Sequence, residues 1–253
     1  MNKNLTVFAF SLLLALVACN KDDDNNPAHK KVLDFIENGI SGDRVFFTFN
    51  IDGQIIRETE SDDVTTYSVS GNQLHISQFR NSENRVVADI AYNLNSDGNI
   101  ISGTGDFTYP SSDPWTASYT VAYNSDGFMT QRTNIQTDGE YWTYKYYWNG
   151  EDLTTLEWYS HDTLYLTNHF EYPKQFEDKL QIDFLKIFKP TTNWTGKTSK
   201  HLPNHTFGIF APGTQISYDY SYLYHLDADG YITSYVTHDA MGGVADSTVY
   251  HYQ

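Results

Sequence analysis

Residues 119–160 constrain the fold more than any other stretch. They read YTVAYNSDGFMTQRTNIQTDGEYWTYKYYWNGEDLTTLEWYS. Aromatic and β-branched residues alternate with polar ones, the two-residue period of a strand. The runs break at Asp126-Gly127, Asp138-Gly139 and Asn149-Gly150. Asp-Gly and Asn-Gly supply the positive φ angles that two-residue hairpin turns require. The three glycines lie twelve and eleven residues apart, which leaves roughly 8 to 10 residues per strand. The stretch predicts an antiparallel up-and-down meander.

Most of the chain repeats this grammar. Predicted strands 44–51 and 54–60 flank Asp52-Gly53, 65–70 and 73–80 flank Gly71-Asn72, and 85–94 and 99–108 flank Asp97-Gly98. Pro110 and Pro114 bracket a loop, because proline cannot join a central ladder. A strand over 163–172 ends at Pro173. Residues 179–185 suit a strand followed by a short helical turn stopped by Pro190. Residues 191–215, with Pro203 and Pro212, read as a long loop, either functional or packed as its own substructure. Two strands flank Asp229-Gly230 and a last one covers 246–252. Val32, Leu33, Ile36 and Ile40 share a face at helical spacing, so 29–41 is either a cap helix or a first strand. The expected fold class is all-β: one domain over 31–253, an antiparallel meander forming a curved sheet or a water-soluble barrel.

Composition agrees. Forty per cent hydrophobic residues in 253 allow a packed core. Twenty tyrosines, fifteen phenylalanines and five tryptophans favour a pleated sheet. A net charge of −16 repels a phosphate backbone, so nucleic acid is excluded as a partner. It also gives no attraction to anionic lipid. The single cysteine, Cys19, permits no internal disulfide, Cys-based zinc site or redox pair.

Cys19 has a position that matters more. Lys3 precedes an apolar run over 5–18 that ends Leu16-Val17-Ala18-Cys19. A run of fourteen residues falls short of the ~20 that span a bilayer and suits a signal peptide. The ending resembles a bacterial lipobox, which implies cleavage before Cys19 and acylation of its sulfur. Residues 1–18 are thus read as a signal helix and 19–30, which include Lys21-Asp22-Asp23-Asp24, as a polar tether. That acidic run resembles the surface-export signal of Bacteroidota-type lipoproteins. The expected location is the outer membrane, anchored by lipid on Cys19 and facing the exterior.

Asp-Gly followed by an apolar residue recurs at Asp97-Gly98-Asn99-Ile100, Asp126-Gly127-Phe128-Met129 and Asp229-Gly230-Tyr231-Ile232. These units look like the tyrosine–aspartate repeats of surface and toxin-shell proteins. The Arg common after that Gly is replaced here by Asn99, Phe128 and Tyr231. A broader likeness runs from the tyrosine-rich meander through Gly196-Lys197-Thr198-Ser199-Lys200-His201-Leu202-Pro203. It continues over 222–226 to Asp227-Ala228-Asp229-Gly230-Tyr231-Ile232 and a terminal Tyr-rich strand. This order resembles the lipoprotein domain-of-unknown-function family 4595, which implies a porin-like fold and carries over no catalytic residue.

The remaining chemistry is sparse. Nine histidines are scattered, and neither His161 with His169 nor His201 with His205 has the helical His-Glu-x-x-His spacing. Asp227-Ala228-Asp229-Gly230 lacks the bidentate Glu of a calcium loop. No Gly-x-Ser-x-Gly or phosphate-binding glycine loop is present. No metal, cofactor or catalytic residue is expected, and the chain is read as no enzyme. Asp162-Thr163-Leu164 and Asp246-Ser247-Thr248 look like the O-glycosylation sequon of Bacteroidota-type exported proteins, which marks Thr163 and Ser247. Trp142, Tyr144, Tyr146 and Trp148 share one strand face and serve either as ligand-facing aromatics or as sheet core. The leading reading is a lipid-anchored binding or scaffold module for an extracellular glycan or protein, its site on the aromatic faces or in 191–215. The alternatives are an enzyme on extracellular polymers and a membrane-embedded barrel. Labelled palmitate is expected to enter the wild-type chain and to be absent from Cys19→Ala, which should leave the membrane fraction.

Overall fold

Alternating side chains on successive hairpins leave one apolar face, and a sheet long enough to curl can bury that face inside itself. The computed structural model describes residues 31–51, 54–109, 113–174, 176–179, 182–183, 189–190, 194–211, 213 and 215–253. Cys19, the leader and the tether lie outside these residues, as does the Asp52-Gly53 turn. The chain divides into Met1–Val32 and Leu33–Gln253, and the second unit is the one described below.

The described residues hold strands and no helix. The strands are β1 (Leu33–Asn38), β2 (Arg44–Phe49), β3 (Ile55–Glu60), β4 (Asp63–Ser70), β5 (Gln73–Arg80), β6 (Arg85–Leu94) and β7 (Ile100–Phe107). Next come β8 (Trp115–Tyr123), β9 (Met129–Gln136), β10 (Tyr141–Asn149), β11 (Asp152–Ser160) and β12 (Thr163–Glu171). Four short pieces follow: β13 (Phe176–Glu177), β14 (Ile182–Asp183), β15 (Lys189–Pro190) and β16 (His201–Leu202). The last four are β17 (His205–Phe210), β18 (Ile216–Leu226), β19 (Ile232–Asp239) and β20 (Val244–Tyr252). β1 to β12 and β17 to β20 form a closed barrel of sixteen antiparallel strands, sealed where β1 pairs with β20. The short pieces make two separate two-stranded ribbons, β13 with β16 and β14 with β15.

The excursion between β12 and β17 covers one end of the barrel. Its backbone bonds to the hairpin loops there. Ile100 N–H donates to Trp194 O (2.7 Å), Lys197 N–H to Gly127 O (3.0 Å) and Lys200 N–H to Glu151 O (3.0 Å). Ser199 Oγ accepts from Leu153 N–H (3.0 Å), and Tyr224 O–H donates to Pro203 O (2.6 Å). Trp194 is buried among Leu74, Leu94 and Ile100, and Leu202 among Leu33, Ile55 and Tyr235. Apolar burial and paired backbone groups together hold this segment as a plug.

Two expectations change, one open alternative is decided, and one lies outside the described residues. The Asp-Gly loops at 97–98, 126–127 and 229–230 are three-residue hairpins, not two-residue ones. Each is a four-residue turn in which the glycine N–H donates to the residue three before it, with that glycine at φ 82°, 87° and 80°. The side chain of Asn95, Asn124 or Asp227 accepts two further loop N–H groups at 2.9–3.1 Å, which selects this form. Of the two readings of 29–41, the strand is the one formed, over Leu33–Asn38. A register shift between Leu33 and Phe35 puts Leu33 and Ile36 on the same inner side, which mimics helical spacing. Pro190 belongs to β15, paired with Ile182; the short helical turn expected before it falls on residues outside the described ones. The long loop over 191–215 contains a full barrel strand, β17. Its inner positions Thr206 and Gly208 carry no apolar signal, because Tyr222 and Tyr218 from β18 fold over them.

Two outcomes test this packing. A Cβ on Gly208 would lie 2.3 Å from Tyr218 Cε1. Gly208→Ala is therefore expected to destabilise by ~1–3 kcal/mol in urea unfolding, and by less in a Tyr218→Ala background. On the outer wall, His205 Nδ1 lies 2.9 Å from Glu171 and Nε2 2.6 Å from Asp219. Burial opposes the charge, but the two carboxylates outweigh it and raise the His205 pKa above its ordinary 6.5. The folded chain thus holds this proton longer than the unfolded one. The stabilisation is complete below ~6.5 and is lost as pH rises through the folded value. The urea midpoint of the wild type relative to His205→Gln should fall across that rise.

Candidate functional site

Cross-strand partners share a face, so one buried residue orients its neighbours. Tyr146 is buried with Leu153, Leu156 and Phe170. Trp142, Tyr144 and Trp148 have the same parity on β10 and therefore face the lumen. Their register partners face it too. Asn134 lies opposite Trp142 and Tyr119, Arg132 opposite Tyr144 and Val121, and Trp158 opposite Tyr144 and Leu166.

The lumen is filled unevenly. Toward the plug its lining is buried: Leu74, Ile100, Phe128, Leu153, Tyr224 and Ile232 are each at most 8% exposed. Toward the other end, Ala88, Phe107 and Ala117 form a buried cluster on one side, while inward residues of β9 to β11 such as Arg132, Asn134, Trp142, Tyr144 and Trp158 are only half-buried. The plug thus closes one end, and the half-buried inner side of β9 to β11 leaves a cup lined with polar and aromatic groups.

Within the cup, the Arg132 guanidinium lies 4.5 Å from the Tyr144 ring centre, a cation–π contact. Tyr144 in turn stacks on Trp158 with centroids 5.8 Å apart. Burial raises the pKa of Tyr92 and Tyr119, and the Arg132 charge partly offsets it. Asn134 Oδ1 and Trp158 Nε1 are buried and have no hydrogen-bond partner. Trp142 is the one tryptophan among the described residues with no ring packed against it.

Two other concavities are already engaged. One of about 640 Å³ lies between plug and hairpin loops, lined by Asp97, Asp126, Glu151, Asp178, Lys197 and Lys200, and Lys200 bonds Glu151 at 3.0 Å. The other, about 470 Å³, lies at the opposite end. There Arg80 grips Asp63 at 2.8 and 3.0 Å and holds that carboxyl below its usual range. Among the described residues no group of three or more His, Cys, Asp or Glu is placed to hold a metal.

The structure divides the aromatic face read from the sequence. Trp142 and Tyr144 line the open half. Tyr146 and Trp148 belong to the packed half, where Trp148 Nε1 donates to Met129 O at 2.7 Å. Thr163 is exposed beside the 161–162 turn. Ser247 is half-buried on the outer wall, its hydroxyl against Gly39. Cys19 lies outside the described residues. Sequence reasoning missed Arg132, Asn134 and Trp158. The available signal was β9, MTQRTNIQ, which is polar on both faces and so cannot be an ordinary core strand.

No protein-family model matches the chain, and no curated protein does. Solved structures do. A porin-like protein from Bacteroides uniformis is 16% identical, with a TM-score of 0.64 over 87% of this chain and 98% of that one. A porin-like protein from Bacteroides vulgatus is 13% identical, with a TM-score of 0.66 over the same shares. At such identities the likeness is one of fold: the barrel described here has the architecture of these porin-like proteins.

Proposed function

We propose that this chain is a lipid-tethered, water-exposed barrel at the outer membrane that binds an extracellular ligand, a glycan or a protein, through the open end of its lumen. One observation carries the reading: the polarity of the wall. Arg57, Asp89, Asp106, Lys145, Glu157 and Asp219 stand mid-strand on the side opposite the core. A membrane-embedded barrel needs an apolar outer band ~25 Å tall. Strands β1, β2, β3 and β17 have six residues each, short of the 9–11 that cross a bilayer. The buried clusters are inside; apolar side chains such as Phe46, Ile135, Leu223 and Val249 also stand on the wall, but the mid-strand charges interrupt them, so the wall suits water.

Attachment then falls to the acylated Cys19, for which the lipobox likeness is the support. Two or three acyl chains bind a bilayer firmly without a spanning element. The name of the Bacteroides neighbours, porin-like, fits the barrel; the transport it suggests is not part of this reading. The test is a chain of residues 20–253 made without detergent. It is expected to stay in the supernatant on ultracentrifugation and to retain ligands from an array of glycans and extracellular proteins. A pellet that only detergent dissolves would favour the membrane-embedded barrel. A soluble barrel that binds nothing would remove the binding reading, and turnover of a polymer in the same screen would make it an enzyme.

A further inference from the structure

We infer that Asn134, Trp142 and Trp158 form a subsite for the ring of a saccharide. The inference rests on the binding reading above and gives its ligand a chemical class.

A buried polar atom takes a protein, water or ligand partner, because leaving it dry forfeits its solvation. Asn134 Oδ1 and Trp158 Nε1 take no protein partner. One is an acceptor and the other a donor. They sit on β9 and β11, either side of β10, so their backbones stand about 10 Å apart. A ligand that serves both must present a hydroxyl donor on one edge and an oxygen acceptor on the other. Trp142 stands on the strand between, directly opposite Asn134, with no aromatic ring among the described residues packed on its indole. A flat apolar face beside separated polar atoms matches a pyranose, whose ring hydrogens cover an aromatic face while its hydroxyls both donate and accept. Arg132 and Tyr144 complete the wall, the guanidinium 4.5 Å over the tyrosine ring. A peptide segment is the poorer fit, since its backbone groups alternate along a line and leave the indole to a single side chain.

An orphaned donor and acceptor also leave a signature in the free protein. Removing them should not harm the empty barrel, yet should weaken binding. Two size-matched changes read this: Asn134→Leu, and replacement of Trp158 by its benzothienyl analogue, which keeps the bicyclic ring and lacks the N–H. The soluble barrel is titrated calorimetrically with glucose, galactose, mannose, N-acetylglucosamine and their oligomers. The wild type is expected to bind at least one. Each variant should raise Kd at least ~10-fold, the loss of one good hydrogen bond, with the melting temperature of the unliganded barrel unchanged or higher. Saccharide binding that both variants retain would overturn the subsite while the binding reading stands. Saccharides failing where an extracellular protein binds would overturn the ligand class alone, and failure of both would remove the two readings together. A clear fall in melting temperature for the benzothienyl variant would give the indole N–H a structural partner and also overturn the inference.

Discussion

The ladder between β1 and β20 is the constraint on which the rest depends. An open sheet of this size would leave two rows of unpaired N–H and C=O groups and a broad apolar face in water. Pairing Leu33–Asn38 with the last strand, in a register that runs from Leu33↔Tyr252 to Asn38↔Thr248, removes both edges at once. It also turns the apolar face into an interior. Tyr235 and Tyr250, 1% and 3% exposed, then share one cluster with Leu33, Ile36 and Val45 from the opposite terminus. The core next to the seam therefore exists only once the ends have met, and the seam is held by that core.

Closure at sixteen strands creates a second problem. A ring of that size in a porin encloses an aqueous channel. Here the interior is apolar enough that water would be unfavourable at one end, and the chain supplies its own filling. The excursion between β12 and β17 brings Trp194 and Leu202 into the lumen and bonds to hairpin loops through the backbone of Trp194, Lys197 and Lys200. The other half is lined by Arg132, Asn134, Trp142 and Trp158. That asymmetry leaves a cup along β9 to β11, away from the clusters that pack against the plug.

Much of the barrel was legible along the chain. β5 and β6 have the bounds their alternation indicates, 73–80 and 85–94, because a half-buried strand writes its own period. The failures have local causes. β17 is hidden because its inner positions are small, filled from β18 by Tyr218 and Tyr222. β1 was legible only as one of two alternatives, because a bulge doubles up its inner side and imitates helical spacing. The Asp-Gly loops were misassigned by one residue because the deciding hydrogen bonds come from Asn95, Asn124 and Asp227, upstream of the glycine. At the candidate site, the aromatic row on β10 could be read, but not its division into core and cup.

What the residues determined by themselves was local: where the chain turns, which side chains share a face, and that hairpins follow one another. Those properties depend on neighbours two to four positions apart. Closure, the plug, and which end of the lumen stays open were decided only in three dimensions. They rest on contacts such as Leu33 with Tyr252 and Gly127 with Lys197. No short-range pattern records such pairs, since each partner alone would pack equally well elsewhere.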